Sequence, residues 1–295
     1  MDFTSLSIIT GGFKRAQRQA RVPMIAKMFL INTFIDGLFT GGQALVVIMR
    51  HRSQTPLLQS LAWELKAPVT AYVLPYQEGF AVRYFSATGE LNSGGYASLA
   101  VAKALYFAGL APPDQPLRLD GLNGQVLARP SAGPEGGVSL VLPPAPAEPL
   151  PPDRANDLPE DMDQDKVLGL LEVGPYRLIC LAEQPEALIT SKPAPHQSRV
   201  VLSWPLDKPG YGLRCFGAAG EEAELPVDLD FHATLAPFWG RQLGWNQLEI
   251  HHLAHRQALL RAELTAGEVG LGGQLQIVYS AAPATGELIG DDSLS

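Results

Sequence analysis

Asp228, Asp230 and His232 alternate along the run Asp228-Leu229-Asp230-Phe231-His232, where polar chain gives way to the apolar Ala233-Thr234-Leu235-Ala236. A carboxylate two residues from an imidazole is a minimal acid/base pair, because both groups change charge within reach of neutral pH. Aspartate also caps helix N-termini and is favourable at the positive end of a helix dipole. The run therefore reads either as a capped helix start or as a site. As a site, its carboxylates would repel an anionic ligand and select a neutral or cationic one. Tyr96 opens a near copy, Tyr96-Ala97-Ser98-Leu99-Ala100, against His232-Ala233-Thr234-Leu235-Ala236. A phenol with a pKa of about 10 is a poor base at neutral pH, yet it can donate a hydrogen bond or act as an acid. His251, His252 and His255 hold one i, i+4 pair beside Glu249. Two histidines without a third ligand are a weak metal motif, so a surface cluster is the expected reading. The pairs Gly11-Gly12, Gly41-Gly42 and Gly272-Gly273 lack the flanking residues of a nucleotide loop and read as turns.

The two copies lie nearly half a chain apart, and each is preceded by a Glu-Leu pair, Glu90-Leu91 and Glu224-Leu225. Paired anchors at such spacing point to a duplicated unit. Two similar lobes facing one another would make a cleft, with the matching helix starts directing free N–H groups into it. Around these helices, Gly95–Leu110 and Phe231–Leu243, apolar patterning predicts strands at Phe29–Phe34, Ala44–Met49, Thr70–Leu74, Phe80–Phe85, Leu117–Leu119, Gly124–Ala128 and Val138–Leu142. A further helix is predicted over Pro56–Leu65, and in the second half strands over Arg177–Leu181, Val200–Trp204, Gly212–Phe216, Gln257–Leu264 and Gln274–Tyr279. The proline-rich stretch Pro143–Pro159 reads as a linker, and residues 1–27, with five Lys or Arg against Asp2, as a basic tail or transit-type segment. The expected organisation is a tail (1–27), an N-terminal lobe (28–150) and a C-terminal lobe (151–295), of α+β class with mixed or antiparallel sheets.

The chain has 295 residues, 46% of them hydrophobic, enough for a large core. A net charge of −8 argues against nucleic acid or an anionic membrane as partner. No apolar run reaches the roughly 18 to 20 residues of a membrane span. Two cysteines, Cys180 and Cys215, are too few for a disulfide framework, although one bridge stays open, and their sparseness fits a reducing cytoplasm.

With these pieces placed, residues from about Met28 to Ile289 resemble the PhzF-like (phenazine biosynthesis-like) family of the diaminopimelate epimerase and proline racemase superfamily. Phe39-Thr40-Gly41-Gly42-Gln43-Ala44-Leu45-Val46-Val47 is similar to the family's F-x-G-N-P-x-A-V-V. Glu64-Leu65-Lys66-Ala67-Pro68-Val69-Thr70-Ala71-Tyr72-Val73 is similar to E-x-N-L-S-E-T-x-F-V. Arg83 to Leu91 followed by Gly94-Gly95-Tyr96-Ala97-Ser98 resembles R-F-F-T-P-T-x-E-L with C/A-G-H-A-T, and Glu224 to His232 resembles E-D-P-V-T-G-S-A-H. Val269 to Gly273 and Gly286-Glu287-Leu288 fit the terminal hairpin. The resemblance implies two pseudo-symmetric lobes, each a barrel-like sheet around a central helix, with the site between them. It further implies a homodimer, no cofactor, and proton transfer on small carboxylated substrates.

The departures fall on the chemistry. Val69 stands at the position of the family's general acid/base Glu, Tyr96 at that of its His and Leu225 at that of its Asp. Gly94 occupies the first cysteine position of the epimerase branch, and Asp228-Leu229-Asp230-Phe231 replaces the small residues that hold a carboxylate. The expectation is a cofactor-independent isomerase- or cyclase-type enzyme of secondary metabolism with a rebuilt site. Tyr96, Asp230 and His232 would be catalytic, and Val69, Gly95, Ala97, Leu225, Asp228 and Leu229 would line the substrate, with no metal. The alternative is an inactive homologue that binds a ligand or a protein partner.

Overall fold

The computed structural model describes residues 25–37, 40–131, 137–145, 164–184, 199–218, 229, 231–253 and 256–282, together with the backbone of 148–149. In the first half lie β1 (Ile25–Thr33), β2 (Gly42–Met49), α1 (Thr55–Leu65), β3 (Val69–Tyr76), β4 (Gly79–Phe85), β5 (Glu90–Leu91) and α2 (Ala97–Phe107). They are followed by β6 (Leu117–Gly121), β7 (Gly124–Ser131), β8 (Gly137–Leu142) and β9 (Glu148–Pro149). The second half comprises β10 (Val167–Val173), β11 (Tyr176–Leu181), β12 (Arg199–Pro205), β13 (Gly210–Phe216), α3 (His232–Leu243), β14 (Gln247–His252), β15 (Ala258–Thr265), β16 (Glu268–Gly273) and β17 (Leu275–Ala281).

The hydrogen bonds repeat. From β1, the ladder runs antiparallel to β2, parallel to β3, antiparallel to β4, parallel to β6, then antiparallel to β7 and β8. From β10 the same order of pairings passes through β11, β12, β13, β14, β15 and β16. β8 and β16, equivalent strands, pair antiparallel and join the two ladders into one sheet. Each half also lends a strand across: β17 pairs with β1, and β9 pairs with β10. The result is two pseudo-symmetric, sheet-dominated halves, each with one helix at its centre.

The sequence of β4, Gly79-Phe80-Ala81-Val82-Arg83-Tyr84-Phe85, is a chemical copy of β13, Gly210-Tyr211-Gly212-Leu213-Arg214-Cys215-Phe216. Both arginines lie over the aromatic ring two residues on, 5.1 Å for Arg83 on Phe85 and 4.7 Å for Arg214 on Phe216. This second pair of echoes is spaced differently from the helix pair.

α2 is buried along most of its length, from Ala97 to Ala102 and again at Ala104 and Leu105. Its small residues let β1, β2, β3, β7, β8 and β17 close around it. α3 takes the equivalent place against β13 to β16. Pro237 lies inside α3. Lacking an N–H, it leaves the Ala233 carbonyl without its usual partner. The backbone N–H of Ala145 donates to that oxygen at 3.1 Å, and the Thr234 hydroxyl donates to the Ala145 carbonyl at 2.8 Å. A proline in α3 thus fixes the chain leaving β8. α1 lies outside the sheet, where Leu58 and Ala62 cover Leu45, Val47, Tyr72 and Phe85.

The predicted strands and helices recur with shifted ends, while β5, β9, β10, β14 and β16 are additional. β1 begins at Ile25, within the stretch assigned to the tail, and Ile25 is buried. The linker stretch Pro143–Pro159 contains the short strand β9. Cys180 and Cys215 are both free thiols, so the bridge left open by the sequence does not form.

Candidate functional site

Tyr96 precedes α2 as its N-cap residue and is only 6% exposed. Its hydroxyl donates to the backbone carbonyl of Gln43, the second residue of β2, at 3.1 Å. Its ring lies over Gly42, where an added Cβ would come within 3.0 Å of two ring carbons. The family pattern has Asn at the Gly42 position and His at the Tyr96 position. The larger ring at one is accommodated by the missing side chain at the other. Val69, opening β3, pairs with Ala44 of β2 and belongs to the same buried apolar cluster as Tyr96. The positions that resemble the family's Glu and His carry an aliphatic side chain and a phenol, set against successive residues of β2: Val69 is paired with Ala44, and the Tyr96 hydroxyl donates to the Gln43 carbonyl.

Gly94 has a local explanation. A Cβ there would sit 2.2 Å from the Tyr84 ring. That ring lies so that its hydroxyl is 2.8 Å from Ser98 Oγ. Burial pushes the Tyr84 phenol up to about 12. A cysteine at 94 and Tyr84 in this place are mutually exclusive.

The free helix-start N–H groups expected from the sequence are largely engaged at α2. Ala97 N–H donates to the Gly94 carbonyl at 2.8 Å, Ser98 to Gly95 at 3.2 Å and Leu99 to Tyr96 at 3.1 Å. Gly95, with φ of +44°, supplies the turn that lets them close. At α3, His232 N–H donates to the Leu229 carbonyl at 3.0 Å and Leu235 to Phe231 at 2.9 Å. The bonding also corrects the phase of the repeat: Ala100 returns to Tyr96 as Leu235 returns to Phe231. In the helix frame Tyr96 is equivalent to Phe231, and Ala97 to His232.

His232 is wholly buried, with Nδ1 2.7 Å from the Tyr211 hydroxyl and its ring 4.5 Å from that of Phe231. Burial, reinforced by His252, lowers its pKa to about 3, so it is an uncharged imidazole at neutral pH. Its Nε2 has no hydrogen-bond partner among the described residues. Around α3 the polar groups continue, since Trp239 Nε1 donates to Ser203 Oγ at 3.1 Å and stacks on Tyr211. Ser203 Oγ lies 3.6 Å from Cys180 Sγ, and burial raises that thiol to about 12, which makes it unreactive.

The histidine cluster divides. His251 and His252 are successive residues of β14 and face opposite sides of the sheet. His251 Nε2 is 2.6 Å from Glu249 Oε1, which also meets Lys208, whereas His252 is buried with neither ring nitrogen partnered among the described residues. A surface cluster describes His251 but not His252. No group of three or more metal-ligating side chains occurs among the described residues. Leu229 is buried. Leu225, Asp228, Asp230 and His255 lie outside the described residues.

Arg256, which the sequence does not single out, crosses between the halves. Its Nε donates to the Gly41 carbonyl at 2.9 Å and Nη2 to the Thr40 carbonyl at 3.4 Å. Gly41 N–H donates to the Gln257 carbonyl at 2.7 Å. The second half thereby holds the glycine turn whose next residues support Tyr96.

This architecture is shared widely. An uncharacterised isomerase of Halalkalibacterium halodurans is 24% identical over 261 residues, covering 85% of this chain and 96% of that protein. A human phenazine biosynthesis-like domain-containing protein is 25% identical over 281 residues, covering 85% and 96%. Among solved structures, a phenazine biosynthesis PhzC/PhzF protein of Clostridium difficile superposes with a TM-score of 0.73 at 18% identity, covering 87% of this chain and 98% of that one. A hydroxyproline epimerase of Agrobacterium vitis superposes with a TM-score of 0.54 at 13% identity, covering 88% and 91%. The model of the phenazine biosynthesis-like proteins matches residues 31–202, more than half of the chain, and with the doubled sheet and its two central helices this places the protein in the PhzC-PhzF family.

Proposed function

We propose that the protein is a cofactor-independent enzyme of isomerase or cyclase type that acts on a small metabolite of secondary metabolism, at a rebuilt site between its halves. The observation that carries this reading is Tyr96: a hydroxyl-bearing side chain at the start of α2, hydrogen-bonded to Gln43 and seated over Gly42. The phenol can give its one proton to a developing oxyanion by exchanging its bond to the Gln43 carbonyl, but it is a poor base at neutral pH. Val69, at the position of the family's Glu, has no proton to move. The base falls to Asp230, with Asp228 setting a preference for neutral or cationic substrates. His232, uncharged and fixed by Tyr211, acts as a positioning residue for the start of α3. Gly95, Ala97, Leu225 and Leu229 complete the lining in this proposal, and a homodimer in the cytoplasm is the proposed setting.

The second reading, a ligand-binding homologue without turnover, is favoured by Val69, whose position in the family pattern carries the proton-transferring Glu. Incubation in D2O with small carboxylated and neutral metabolites, read by mass spectrometry, separates the two. Deuterium incorporation that falls at least tenfold in both Tyr96→Phe and Asp230→Asn supports the enzyme. Thermal stabilisation by a metabolite without incorporation supports the binding protein. Incorporation unchanged in both variants overturns the assignment of the site.

A further inference from the structure

Where the first half's loop after β1 meets the outer side of β15 and β16, a groove of about 280 Å³ opens, lined by Ile35, Asp36, Leu259, Arg261, Gly273 and Gln274. It lies outside the barrel of the second half: along β15 the buried Ala258, Leu260 and Ala262 alternate with Leu259 and Arg261. Both walls are fixed by backbone hydrogen bonds between the halves. Ile35 N–H donates to the Gln274 carbonyl at 3.2 Å, and Leu259 N–H donates to the Phe34 carbonyl at 3.0 Å. Asp36 is held by its own N–H, which donates to Thr40 Oγ1 at 2.8 Å, while the Thr40 hydroxyl donates to the Gly37 carbonyl at 3.0 Å.

The groove carries one carboxylate and one guanidinium, and the two do not pair with each other or with any described residue. Opposite charges that share a groove yet stand too far apart to pair leave a gap. A ligand bearing both signs can bridge it. A lone anion would be attracted by Arg261 and repelled by Asp36, and a lone cation the reverse, so each half-ligand forfeits part of its attraction. Ile35 and Leu259 add apolar surface to the same lining. From these features we infer that the groove binds a small zwitterion, with a carboxylate on Arg261, an ammonium on Asp36 and a short aliphatic body against Ile35 and Leu259. Tyr96 is not part of the groove's lining, and the inference stands whether or not the proposed enzyme function does.

L-Leucine, 3-methylbutylamine and 4-methylpentanoate share one aliphatic body and carry both charges, the ammonium alone and the carboxylate alone. Each is titrated into the full chain while backbone amide resonances are followed. L-Leucine should shift Ile35, Asp36 and Gln274 saturably, at a concentration about tenfold or more below either half-ligand. Asp36→Asn should abolish the advantage of leucine over 4-methylpentanoate, and Arg261→Gln its advantage over the amine. Both side chains are exposed and unpaired among the described residues, so neither change threatens folding. Tyr96→Phe should leave the titration unchanged. Absence of saturable shifts at these amides, equal affinity for all three probes, or indifference to both groove substitutions overturns the inference. So do leucine-induced shifts confined to the surroundings of Tyr96.

Discussion

The Tyr211 hydroxyl lies 2.7 Å from His232 Nδ1 inside the second half, and neither group reaches solvent. Burial, with the charge of Arg214 as a second cause, lowers His252 to about 4, and burial with His252 lowers His232 to about 3. The titratable and charged groups that face one another here are Arg214 of β13, His252 of β14 and His232 of α3, and only the arginine is charged at neutral pH. In the unfolded chain both histidines take up protons near pH 6.5. The unfolded state therefore binds more protons than the native state below that pH, and stability falls as the solution is acidified toward pH 4 to 3. Each histidine contributes a slope of up to about 1.4 kcal/mol per pH unit. Urea unfolding at pH 8, 6.5 and 5 should show little change over the first interval and a clear loss over the second. His252→Leu, which removes one buried imidazole, should flatten the acid limb.

Thr234 makes a second test in the same helix. Thr234→Val keeps the shape but removes the hydroxyl that donates to the Ala145 carbonyl. The expected loss is about 1 kcal/mol. Amide exchange at Ala145 should quicken, since its bond to Ala233 depends on the same contact. A Thr234→Ser variant, which keeps the donor, should restore protection.

The fold was legible because its repeat is written twice. Tyr96-Ala97-Ser98-Leu99-Ala100 and its copy at His232 mark the two central helices, and runs such as Ala44–Met49 mark buried strands. The copy in β4 and β13 escaped because strands preserve residue type more than identity: Phe80 answers Tyr211, and Ala81 answers Gly212. The phase of the helix repeat was also one residue out, since matching side chains does not reveal which carbonyl closes the first turn. Among the residues singled out for the candidate site, Val69 came from the family pattern and Tyr96 from the repeat as well as the pattern. Arg256 was not, because its role depends on a contact with Gly41 from the opposite half, and no local spacing encodes that.

Arg256→Ala removes both donors to the Gly41 and Thr40 carbonyls. A loss of about 1 to 3 kcal/mol is expected, within the range for charge-assisted bonds. Because the anchor joins the two halves, amide exchange should increase at Gly41 and at Gln43, whose carbonyl takes the Tyr96 hydroxyl. Arg256→Lys, with one compact donor group in place of the fork, should recover only part of the protection.

Val69→Glu returns a carboxyl to the position where the family pattern has one, and it reports on how dry this region has become. Val69 is 8% exposed and lies in the apolar cluster with Ala44 and Tyr96. A carboxyl placed there loses hydration, so its native pKa should rise above the unfolded value of about 4.3. The sign follows: the unfolded state ionises first, so the variant loses stability as pH climbs through that value and levels off only above the native pKa. Val69→Gln has nearly the same shape without the charge. The two variants should unfold at similar urea concentrations near pH 4, and Val69→Glu should be the weaker at pH 8, by about 1.4 kcal/mol for each unit of pKa rise. Equal midpoints at pH 8 would mean that water or a cationic partner reaches position 69. Tyr96 would then face a wet cleft, and the case for a rebuilt apolar site would fail.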